Sequence, residues 1–117
     1  MATLHRILTA PQRAAALAAV DTYRGVDFMG WRAESEFALR TPVALHSGRA
    51  LRSLLCDLGG LANLCEQDGE HRLNNRPTLA AECRGALAAI AAAYGAPVEH
   101  WVNAAGGGPW AGDNVTP

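Results

Sequence analysis

Cys56, Cys65, His71 and Cys83 are the residues that would matter most if the chain brought them together. Thiolates and imidazole suit zinc, but structural sites draw their ligands in locally spaced pairs, and these four offer no such pair. At 3.6 residues per turn, the nine positions from Cys56 to Cys65 put the two thiols on nearly opposite sides of a helix. Cys65 and Cys83 fall on apolar helix faces and read as small buried hydrophobes, whereas Cys56 lies off its stripe. Three cysteines so far apart do not make a disulfide framework either. The expectation is a chain with no metal and no cofactor.

Covalent catalysis would need a Ser, Thr or Cys beside a base and an orienting group. His46 and Ser47 are adjacent, so their side chains diverge on a helix, and nothing in the sequence brings Cys56 or Glu99-His100 to them. Gly-x-Ser-x-Gly and His-Glu-x-x-His are both absent. Gly106-Gly107-Gly108 runs into Pro109 without the Lys-Ser or Lys-Thr of a phosphate loop. Glu34 and Glu36 diverge on a helix, while Glu66, Asp68 and Glu70 read as the wet end of one. The pattern predicts a protein that is not an enzyme.

All ten basic residues are arginines, which GC-rich codon usage explains plainly. Arg40, Arg49 and Arg52 lie near a helix start, and Arg72 and Arg76 flank a connector. These could contact phosphates or an acidic partner. A formal net charge of -1, however, supplies no long-range field for gathering nucleic acid. A small nucleic-acid-associated regulator with an arginine surface is therefore the alternative reading. The preferred one is a non-catalytic protein-interaction or regulatory protein, with a homodimer as one form it could take. Its contact residues would be Phe28, Trp31, Trp101 and Trp110, which lie outside the two best helices, with Arg49 and Arg52 at the rim. Trp110 stands among glycines and prolines and reads as a docking anchor.

The elements that must position these groups are helices. Leu51, Leu54, Leu55, Leu58, Ala62 and Cys65 recur at three- and four-residue steps and form one apolar stripe, with Ser47 as the cap before it. The phase survives Gly59-Gly60, which predicts a continuous helix whose glycines admit a close neighbour. Thr9 and Gln12 have the spacing of a capping box around Pro11, opening a helix with Gly25 as its expected stop. A shorter helix is expected over about Ala33–Leu39, ended by Thr41-Pro42. Beyond the polar connector from Gln67 to Pro77, Thr78 is the expected cap of a helix carrying Leu79, Cys83, Ile90 and Tyr94, which Gly95 should end.

The fold class is thus all-α, a small three- or four-helix bundle. Its domain organisation is a compact helical domain over 1–103 and a flexible Gly/Pro-rich tail over 104–117. With no apolar leader-like run and every apolar run divided by charges, the expected location is cytoplasmic, with no membrane association.

Overall fold

The computed structural model describes residues 3–23, 31–45 and 47–95, the side chain of Trp31 excepted. Five helices and no strand occur among them: α1 (Leu4–Ile7), α2 (Ala10–Thr22), α3 (Trp31–Arg40), α4 (Gly48–Glu66) and α5 (Pro77–Tyr94). The all-α bundle therefore stands, with the one-turn α1 added to the four expected helices. The tail expected over 104–117 and the contact residues Trp101 and Trp110 lie outside the described residues.

Local chemistry sets the helix ends. The Thr9 hydroxyl accepts from the Gln12 backbone at 3.3 Å while the Gln12 side chain accepts from the Thr9 backbone at 3.0 Å, which completes the capping box. Ser47 caps α4 by accepting from the Ala50 N–H at 3.1 Å. Gly95 ends α5 at φ 77°, a left-handed conformation that a Cβ disfavours. Two expectations need correction. Helix α2 ends at Thr22, with Tyr23 as its C-cap, before Gly25 is reached. Thr78 does not cap α5; Arg76 occupies that place, without a side-chain cap bond. Pro77 takes the first helical position because its fixed φ suits it and its missing N–H costs nothing there, which leaves Thr78 already inside the helix.

Helix α4 is the axis of the bundle, packing most extensively on α5, while α2 lies against both and α3 covers α4 from another side. Every member of the leucine stripe is buried. The buried set extends beyond it to Ala50, Leu61 and one acid, Asp57. Alanines on α2 and α5 let those helices approach closely: the Cys83 thiol donates to the Ala15 carbonyl at 3.9 Å, and Gln12 lies over Gly85. Helix α4 runs unbroken through Gly59-Gly60. Its close neighbour is the hydroxyl of Tyr23, 3.0 Å from where a Cβ on Gly60 would stand.

Candidate functional site

The connector between α4 and α5 looks loose in sequence but is pinned in place. The Arg76 amide donates to the Cys65 carbonyl at 2.8 Å and the Asn75 amide to that of Gln67 at 3.1 Å. The Asn74 side chain donates to the Leu64 carbonyl at 2.8 Å and accepts from the His71 amide at 3.0 Å. Asn75 takes a left-handed φ of 59°, which asparagine tolerates better than most residues. These bonds fix the first turn of α5 to the C-terminal end of α4, and that turn faces the opening turns of α2.

Between those two turns lies a cleft of about 600 Å3. Pro11, Ala14, Pro77 and Leu79 wall it with apolar surface, and Arg76 and Glu82 bring one charge of each sign. The volume is that of a pocket able to take a large side chain with its neighbours. Small residues cause the opening, since Ala14 and Ala15 cannot fill the space that Pro11 and Pro77 hold open. Arg76 is exposed and is steadied by donation from its Nε to the Arg72 carbonyl at 3.0 Å. It stands at the N-terminal, positive end of α5.

A second polar group is interior. Arg32 on α3 and Asp57 on α4 are both buried and joined by two parallel bonds, Nη1 to Oδ2 and Nη2 to Oδ1, the latter at 3.0 Å. The guanidinium carbon stands 5.9 Å from the Tyr23 ring centroid, a cation–π distance. Burial and then the Asp57 carboxylate push the Tyr23 hydroxyl above its ordinary pKa, with Arg32 opposing. This group joins α2, α3 and α4.

The sequence candidates are dispersed. Phe28, Trp101, Trp110, His46 and Glu99-His100 lie outside the described residues. Trp31 is the first residue of α3. Arg49 and Arg52 are half-buried on the opening turns of α4, and neither is without an interaction. Arg40 pairs with Glu36 at 4.0 Å, and Glu34 accepts from the Ser47 amide at 3.0 Å. Arg13 donates to the Leu8 carbonyl at 3.0 Å, and Arg84 bridges α5 to Glu66 and Asn63 on α4, each at 2.9 Å.

Cys65 and Cys83 are buried, as their places on the apolar faces required, and Cys56 is half-buried off the stripe. Burial raises all three thiols, Cys56 to about 11 and Cys83 to about 12, so none is a ready nucleophile. His71 is exposed in the connector, its Nδ1 accepting from the Leu73 amide at 3.1 Å. Among the described residues no three His, Cys, Asp or Glu side chains converge as a metal site, and no helix is long and apolar enough to cross a membrane.

Sequence reasoning missed Arg32, Asp57 and the cleft. Asp57 did carry a signal, as the one acid within Leu51–Cys65. The cleft carried none, because it arises from where alanines and prolines on two distant segments meet. No protein-family model, curated protein or solved structure matches the chain.

Proposed function

We propose that this protein is a non-catalytic interaction module whose α2/α5 cleft holds a short segment of polypeptide. The segment would carry one aromatic anchor with a carboxylate a few residues away. Regulation by occupancy, rather than chemistry on a bound molecule, is the activity such a cleft supports. The observation that carries the reading is the pairing of apolar walls with Arg76 and Glu82 in one opening of about 600 Å3. Pro11, Ala14, Pro77 and Leu79 can receive a ring. Arg76, at the N-terminal end of α5, suits a carboxylate. Glu82, six residues further along, can accept an indole N–H or a phenol O–H. A few buried aromatic anchors dominate peptide affinity, and one apolar pocket with flanking polar groups fits that pattern.

The arginines weigh against nucleic acid as the partner. Arg13, Arg32, Arg40 and Arg84 each engage a carbonyl or carboxylate of this chain, and the formal net charge is -1. Arg13, Arg32 and Arg84 join one helix to another, while the Arg40 contact stays within α3.

Selection of displayed peptides on the intact chain tests the proposal. The selected sequences should share a Trp or Tyr with an Asp or Glu nearby, and should lose at least about tenfold in affinity on Ala14→Arg, a change at an exposed cleft position. Peptides without an aromatic anchor, or indifferent to Ala14→Arg, would contradict it.

A further inference from the structure

The chain itself contains a segment with the chemistry the cleft asks for. Residues Gly108-Pro109-Trp110-Ala111-Gly112-Asp113 supply one indole and, three positions on, one carboxylate. Trp110 is the sole aromatic and Asp113 the sole charged side chain of residues 104–117. We infer that this segment is a cis occupant of the α2/α5 cleft, with the Trp110 ring between Ala14 and Leu79 and the Asp113 carboxylate on Arg76. The inference rests on the cleft reading above and deepens it by naming the first competitor any external partner must displace.

Chain length decides which tryptophan can do this. Helix α5 ends at Gly95, whereas the cleft lies at its opposite end, around Leu79. Sixteen residues at 1.5 Å each put about 24 Å of helix between them. Trp101, six residues past Gly95, has a backbone reach of at most about 22 Å and could bring its ring near the opening only from a fully extended chain, with no residues left to turn into it. Trp110, fifteen residues past Gly95, reaches up to about 50 Å, enough to return along the helix and turn into the opening. The charge order agrees as well. The indole N–H needs an acceptor and has Glu82, while the carboxylate needs a cation and has Arg76 at the helix's positive end. A tethered ligand also binds at the high effective concentration its tether sets, so modest contacts suffice.

The test uses the full chain labelled with 5-fluorotryptophan and followed by fluorine NMR, with Trp110→Phe assigning the Trp110 resonance. In the native protein that resonance should stand apart from its position in urea. Ala14→Arg should return it to the unfolded position while the folded chain's other two tryptophan resonances keep theirs. Tenfold dilution should leave it unchanged. Asp113→Asn should move it part of the way back. Two results would overturn the inference: a native Trp110 resonance already at the urea position, or one that returns there on dilution, which would mark a second copy as the occupant. Because no external peptide enters the measurement, a free Trp110 would leave the cleft reading to stand or fall on its own selection experiment.

Discussion

Arg32 and Asp57 form a buried pair in which each charge answers the other. Removing either charge leaves the other desolvated and unmatched, which costs more than the pair contributes as a whole. Asp57→Asn should therefore destabilise the fold by about 3–5 kcal/mol in urea titration. Arg32→Met combined with Asp57→Leu should recover most of that loss, since an apolar pair of similar size removes the stranded charge. A double variant no better than Asp57→Asn would show that the bidentate geometry itself is indispensable. The buried thiols make a second prediction at this scale. Cys83 is raised from 9.0 to about 12 and Cys56 from 9.0 to about 11, burial being the largest cause in each. Below pH 9 both thiols are protonated whether the chain is folded or not. As pH rises past 9 the unfolded chain loses these protons while the folded chain keeps them, so stability falls with a slope of about 1.4 kcal/mol per pH unit for each thiol. Melting followed between pH 8 and 11 should show this decline, and Cys83→Ala should make it shallower. A wild-type curve flat over that range would mean the thiols ionise freely in the fold.

At the scale of the element, Gly60 shows why a glycine stands inside the helix that organises the core. Alanine in its place would gain about 0.8–1.0 kcal/mol of helix propensity. A Cβ on Gly60, though, would stand 3.0 Å from the Tyr23 hydroxyl, and that ring also carries the Arg32 contact. Gly60→Ala alone should consequently be close to neutral. In a Tyr23→Phe background the hydroxyl is gone while the ring carbon at 3.3 Å remains, so it should be more favourable than in the native chain, with a gain of no more than about 1 kcal/mol. A gain of equal size in both backgrounds would remove Tyr23 from the account. Helix positions were legible in the sequence because periodicity and capping are local. Thr9 with Gln12, Ser47 and Gly95 each acted as their residue types dictate. Thr78 misled because Pro77 competes for the same turn and wins. The close approach at Gly60 was readable as a glycine effect, but the partner was not. It comes from Tyr23 at the end of α2, thirty-seven residues away in sequence.

For the molecule as a whole, the same locality explains why the core was legible and the cleft was not. A stripe of leucines announces itself along one helix. A cleft is what remains when Pro11 and Ala14 from one segment meet Pro77 and Leu79 from another, and no pattern within either segment encodes it. Three arginines outside the set that the sequence offered as a binding surface serve cohesion: Arg13 closes α1 onto α2, Arg32 ties α3 to α4, and Arg84 ties α5 to α4. The apolar opening beside Arg76 and Glu82 is the surface we propose recognises another segment. The most direct test is the affinity of a selected aromatic-anchored peptide for the wild-type chain and for Ala14→Arg, with urea stability measured on both. Ala14 is exposed, so stability should change by no more than about 0.5 kcal/mol while affinity falls at least about tenfold. Equal affinity for the two folded proteins would contradict the assignment of the cleft as the binding site.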